Sequence, residues 1–112
     1  MELSTHDDQE MRIISVQNSR IDAAVAIEFK EAMRGQIADA PPHIVLDLTA
    51  VNFLDSSGLG AIVATMKMLG GKSKLTLAGL TPTVSKVFRL TRMDTVFDLY
   101  ETVDLARLDL AS

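Results

Sequence analysis

The sequence predicts an α/β domain, with a mixed and mostly parallel sheet of about four or five strands and about four helices. Three observations predict it. Strand-like and helix-like stretches alternate from about residue 24 onward, and such alternation builds parallel strands joined by right-handed crossovers. Two strand-like stretches stand in succession before that point, which adds an antiparallel edge. The chain has 112 residues, of which 47% are hydrophobic. That fills one core and not two, so residues 1–112 are expected to form a single domain.

The elements follow in order. Met11-Arg12-Ile13-Ile14-Ser15-Val16 is rich in β-branched residues and short, as a strand is. A shorter strand around Glu2–Thr5 precedes it, and the polar run His6-Asp7-Asp8-Gln9-Glu10 is expected to be the hairpin loop between them. From about Ala24 the period changes. Val25, Phe29, Met33 and Ile37 recur every four residues with charged residues elsewhere on the wheel, which marks an amphipathic helix. Pro41-Pro42 ends it.

His43–Thr49 is apolar on both faces over most of its length, as expected for a strand covered on both sides. Leu59–Leu69 returns to helical spacing, with Leu59, Ile62, Val63 and Met66 on one face and Gly70-Gly71 as the stop. Lys74–Ala78 alternates like a short strand. Thr81-Pro82 opens the next helix, with Thr81 as the N-cap and an apolar face of Val84, Val87, Phe88 and Thr91. Val96–Leu99 is the expected last strand and Thr102–Leu108 the last helix.

Composition excludes several functions. There are 11 Lys+Arg against 15 Asp+Glu, a formal net charge of −4. A nucleic-acid binder needs a basic face, so nucleic acid is disfavoured as a partner. With no cysteine, disulfides and thiolate metal sites are excluded. His6 and His43 are far apart and lack metal-ligand spacing, and the Asp7-Asp8-Glu10 cluster reads as a solvated turn. No apolar run approaches a membrane span, and the N-terminus does not read as a signal peptide. A cytoplasmic protein with no membrane partner, no metal and no cofactor is therefore expected.

In folds of this class, chemistry gathers where strand carboxyl ends meet helix N-termini. Phe53-Leu54-Asp55-Ser56-Ser57-Gly58-Leu59-Gly60 occupies that place. Asp55, Ser56 and Ser57 are all competent N-cap residues, although one cap suffices. Gly58 and Gly60 each weaken a helical turn by up to ~1 kcal/mol relative to Ala, and they leave backbone N–H groups open to a ligand or partner. Two readings stand. One is a generously capped helix packed tightly on a sheet. The other is an exposed serine at a helix N-terminus, poised to carry a phosphate that the helix dipole favours.

Asp55-Ser56-Ser57-Gly58-Leu59-Gly60 resembles the signature of the STAS-domain anti-sigma factor antagonists. The resemblance runs through nearly the whole chain. Ile21-Asp22 resembles the aliphatic–Asp pair that ends a strand before the first helix. Ile44–Leu48 resembles the family's central strand, Phe53-Leu54 the pair before its Asp, and Leu80–Phe88 its third-helix segment. The resemblance implies a STAS-like single domain and partner switching. The unphosphorylated antagonist binds an anti-sigma factor that is also a serine kinase of the Bergerat-type ATPase fold, and this frees a sigma factor. Phosphorylation breaks the complex, and a PP2C-type phosphatase restores it.

The implied acceptor is Ser56, with Ser57 as second choice. Asp22 matches a family Asp that contributes to partner binding, and Asp55 is expected to cap or orient the loop. The implied partner-binding set is Asp22, Asp55, Ser56, Ser57, Gly58, Leu59 and Gly60. Ser19-Arg20 stands where the family has Gly-Glu, which implies a different turn, capped by Asn18 or Ser19, and reverses a charge beside the interface. Hypothesis: Arg20 tunes the choice of kinase.

Other motifs carry less. Gly71-Lys72-Ser73 lacks the first glycine of a P-loop, since position 66 is Met66, and it runs from helix to strand. No glycine precedes Ser56 or Ser57 by two, so neither is a nucleophile elbow, and an enzyme is not expected. Two alternatives remain: a response-regulator-like aspartate phosphoacceptor, and a STAS scaffold controlling another output such as secretion. The opening strand pair argues against the former, and the two hydroxyls beside Asp55 argue against a non-switching scaffold.

Overall fold

The computed structural model describes all residues, Met1–Ser112. Strands β1 (Leu3–Asp8), β2 (Met11–Val16), β4 (His43–Asp47), β6 (Lys74–Ala78) and β7 (Asp98–Tyr100) form one five-stranded sheet in the order β1-β2-β4-β6-β7. β1 is the antiparallel edge, and every other pairing in that sheet is parallel. The helices are α1 (Ala26–Ile37), α2 (Ser56–Leu69), α3 (Pro82–Leu90) and α4 (Val103–Ala111). The predicted class is therefore observed: α/β, with five strands and four helices around a mixed, mostly parallel sheet.

Strand alternation divides the core in two. Ile14, Val16, Ile44, Leu46, Leu75 and Leu77 point to one face and pack with Phe29, Met33, Ile62, Val84 and Phe88 from α1, α2 and α3. Ile13, Val45 and Ala78 point to the other face and meet Ala106 of α4. The central strand β4 is thus apolar on both faces, as a strand covered on both sides must be. No helix is long and apolar enough to cross a membrane.

Several boundaries differ from expectation, each for a local reason. His6, Asp7 and Asp8 belong to β1 rather than to the hairpin loop, which is only Gln9-Glu10, with Gln9 left-handed at φ 58°. An edge strand needs no apolar face, so polarity disguised it. Cross-strand charge holds its register: Asp7 lies opposite Arg12, and its Oδ1 accepts from Arg12 Nε at 2.7 Å. α1 begins at Ala26 rather than Ala24, because Asp22 first makes a turn in which its carboxylate accepts from the Ala24 amide and its carbonyl from the Val25 amide.

α2 begins at Ser56 and buries Ala61, Ile62, Thr65 and Leu69, while Leu59, Val63 and Met66 lie at the margin. Thr65 enters that face because its hydroxyl donates to the Ala61 carbonyl at 3.0 Å. Gly70 ends α2 in the left-handed conformation at φ 58°, as the glycine pair predicts. Thr81 occupies the N-cap position of α3 without capping it, since its hydroxyl donates instead to the Val51 carbonyl. Val96-Phe97 precedes the last strand. A 3-10 turn at Met93–Thr95 intervenes and carries Phe97 into the core, edge-on to Phe88 with ring centroids 6.0 Å apart.

A second, two-stranded sheet lies apart from the first. β3 (Arg20–Ile21) and β5 (Phe53–Leu54) pair in parallel, with Arg20 opposite Phe53 and Ile21 opposite Leu54. This ribbon connects the start of α1 to the start of α2. Asn18 does not cap the turn before it, because its Oδ1 accepts from the Glu2 amide at 2.8 Å. The Ser19 carbonyl accepts from the Asn52 amide at 2.7 Å and so joins the two strands.

Candidate functional site

Asp55 follows β5 in extended conformation and is the N-cap of α2. Of the three candidate caps it alone fills the role: its Oδ1 accepts from the Gly58 amide at 2.9 Å. Its Oδ2 accepts from the Ala23 amide at 3.1 Å. One carboxylate thus joins the helix to the loop after β3. The Gly58 amide above all, helped by the Ala23 and Ser57 amides, holds the Asp55 carboxyl below the ordinary carboxylate range. Hydrogen bonds to the charged form favour that form.

With the cap supplied by Asp55, both serines are exposed on the first turn of α2. No acidic residue occupies that first turn. The positive end of the helix dipole therefore meets water beside two hydroxyls.

The two glycines behave differently. Gly58 is buried, and a Cβ there would sit 2.0 Å from the Ile21 carbonyl oxygen and 2.7 Å from Leu54 Cδ1. Only glycine lets α2 approach the ribbon so closely. Its amide is taken by Asp55, so the expectation that both glycines bare their N–H groups fails at Gly58. Gly60 is exposed, and a Cβ there meets nothing within 4 Å. Leu59 is half-buried against the main core.

Asp22 sits in the same corner, since Asp55 grips the amide of the next residue. Its Oδ1 accepts from the Ala24 amide at 3.1 Å, and its Oδ2 from Arg20 Nε at 3.2 Å. The Arg20 guanidinium carbon lies 4.1 Å from the centroid of the Phe53 ring. That places a cation on an aromatic face.

Asp22, Asp55, Ser56, Ser57, Gly58, Leu59 and Gly60 are therefore brought to one end of the molecule, and Ser56, Ser57 and Gly60 are its most exposed members. Sequence reasoning put Phe53 at the head of this segment but left it out of the partner-binding set. The one available signal was its alternation with Leu54: Phe53 is 37% exposed and Leu54 is 4% exposed.

The STAS domain family matches residues 2–106 of the chain. The anti-sigma-F factor antagonist RsfB of Mycobacterium tuberculosis is 30% identical over 97 residues, which is 87% of this chain and 79% of that protein. The anti-sigma-B factor antagonist of Listeria monocytogenes is 35% identical over 82 residues, 70% of each chain. Among solved structures, an anti-sigma factor antagonist from Mycobacterium paratuberculosis superposes with a TM-score of 0.88 at 32% identity, covering 99% of this chain and 94% of that one. A match across nearly the whole sequence, with the site formed on the ribbon and the first turn of α2, makes the chain a member of the STAS domain family.

Proposed function

We propose that this chain is a non-enzymatic regulator, an anti-sigma factor antagonist that works in the cytoplasm as a single STAS domain and acts by partner switching. Unphosphorylated, it binds an anti-sigma factor serine kinase of the Bergerat-type ATPase fold and releases a sigma factor. The kinase transfers the γ-phosphoryl group of ATP to Ser56. A bond forms between Ser56 Oγ and the γ-phosphorus, the bond to the departing ADP oxygen breaks, and the hydroxyl proton passes to a base on the kinase. A PP2C-type phosphatase hydrolyses the phosphoserine and resets the switch.

The observation that carries this reading is the exposed Ser56 at the first position of α2, left free because Asp55 supplies the cap. The relatives named as anti-sigma factor antagonists support it. Phosphorylation takes the formal charge from −4 to about −5.5 to −6. That change falls where the helix dipole favours it and where Asp55 and Asp22 oppose it. The exposed position of Ser56 lets the added charge and bulk alter the docking surface without disturbing the core.

Ser56→Ala is expected to fold normally and to hold its kinase regardless of ATP. Co-purification from the host, with intact mass measured with and without ATP, identifies the kinase and counts the phosphates. ATP-dependent release persisting in Ser56→Ala moves the acceptor to Ser57 or elsewhere. A label that hydroxylamine removes is an acyl phosphate and rejects serine altogether.

A further inference from the structure

We propose that Arg20 is an internal clamp for the phosphate: when Ser56 is phosphorylated, the Arg20 guanidinium leaves Asp22 and pairs with the phosphoryl group. This rests on the reading of Ser56 as the acceptor and adds a moving part to it.

The geometry supplies the parts. Arg20 lies opposite Phe53 across the ribbon, and Phe53 precedes Ser56 by three residues in the chain. Strand spacing of about 4.8 Å and a rise of about 3.3 Å per residue place their Cα atoms roughly 11 Å apart or less. An arginine and a phosphoserine extended toward each other cover that gap. Two contacts hold Arg20, the Asp22 carboxylate and the face of the Phe53 ring. Its side chain is 58% exposed, and it contacts Asp22 through Nε at 3.2 Å. The ion pair is a single contact on a solvent-exposed guanidinium, and a cation on an exposed ring adds little, so both holds are weak.

A phosphate dianion is the stronger claimant. It carries more charge than the Asp22 carboxylate, and its oxygens accept the guanidinium fork two bonds at a time. Asp22 is also occupied elsewhere, since its other oxygen accepts from the Ala24 amide. It therefore keeps its place when the cation departs.

The exchange alters more than one charge. In the unphosphorylated state a partner meets a cation lying on Phe53 beside a neutralised Asp22. In the phosphorylated state it meets a bare ring, a bare carboxylate and a phosphate already paired from within. One covalent event then changes three features of the docking surface. The clamp also stabilises the phosphorylated state by offsetting repulsion from Asp22 and Asp55.

The test uses the full chain with phosphoserine incorporated at position 56 during synthesis, so no kinase is needed. The second ionisation of the phosphate is followed by phosphorus NMR. In the parent it is expected about half a unit or more below its value in Arg20→Ala, because a paired cation favours the dianion. Arg20→Lys is expected to fall between the two, since lysine restores the charge without the fork. The Arg20 Nε–H resonance is expected to shift on phosphorylation. Identical phosphate titrations in the parent and Arg20→Ala, or an Arg20 resonance indifferent to the phosphate, overturns the clamp. Failure of any kinase to label Ser56 overturns the functional reading alone, because the phosphoserine here is installed independently.

Discussion

Two acidic clusters lie in this molecule, and they use charge in opposite ways. On the hairpin and the end of α1, Arg12 donates to Asp7 at 2.7 Å, to Asp39 at 2.9 Å and to the Gln36 carbonyl at 2.7 Å. Asp7 and Asp39 share one cation there, and the arginine side chain is 14% exposed. At the Ser56 corner, Asp55 is held by backbone amides instead. Both arrangements hold their carboxyls below the ordinary range, at Asp7 and Asp39 through the Arg12 guanidinium and at Asp55 through N–H groups. The first cluster closes on itself and fastens the chain. The second fastens the loop but leaves its hydroxyls and its helix dipole open to solvent. A locked fold and a receptive surface are thus built from the same residue type.

The largest expected effect is at Gly58. Gly58→Ala drives a methyl into the Ile21 carbonyl, a backbone group with no rotamer to yield, and against Leu54 Cδ1. It is expected to lose about 3 kcal/mol in urea unfolding, the upper range of overpacking. Gly60→Ala, two residues on and in open space, is expected to be neutral or to gain up to ~1 kcal/mol from helix propensity. Equal losses at the two positions break the claim that α2 is seated by a single close approach.

A smaller loss is expected for Arg12→Ala, because its carboxylate partners face solvent and surface pairs are weak. Its signature is acid dependence. Asp7 and Asp39 sit below their ordinary value, so their stabilisation is present above about pH 3.9 and is lost as pH falls through the lowered values. The urea midpoint of the parent is expected to fall more steeply with acid than that of Arg12→Ala. Parallel acid profiles mean that Arg12 is not the fastener.

The smallest effect is local. Asp55→Asn keeps one acceptor for the Gly58 amide and turns an NH2 toward the Ala23 amide in place of an oxygen. Hydrogen exchange at Ala23 is expected to accelerate while Gly58 stays protected. Unchanged exchange at both breaks the view that one carboxylate ties the loop after β3 to the start of α2.

The parts of this molecule that were legible in its sequence depend on neighbours in sequence. Asp55, Ser56 and Gly58 could be read as a helix start because capping joins residues three apart. Phe29, Met33 and Ile37 could be read as a core face because helical period is local. The Arg12 fastener was not legible, since Asp39 lies 27 residues away in sequence. Nor did periodicity reveal β3 and β5: two residues carry no period, resemblance alone pointed to Ile21-Asp22, and Phe53-Leu54 stood out only as the approach to a helix start. The contact of Gly58 with Ile21 is likewise a product of tertiary structure. A glycine in a helix announces a weakness, and only the packed ribbon shows what it makes room for.

That ribbon bears on how such domains diversify. β3 and β5 share no hydrogen-bonded edge with the five-stranded sheet. Arg20 and Phe53 are exposed, whereas Ile21 and Leu54 are buried. The surface positions can therefore mutate without disturbing the core that holds them. A duplicated copy of this gene starts with its exposed ribbon positions already insulated from its folding residues. A duplicate then acquires a different surface at this corner through only a few changes on two short strands.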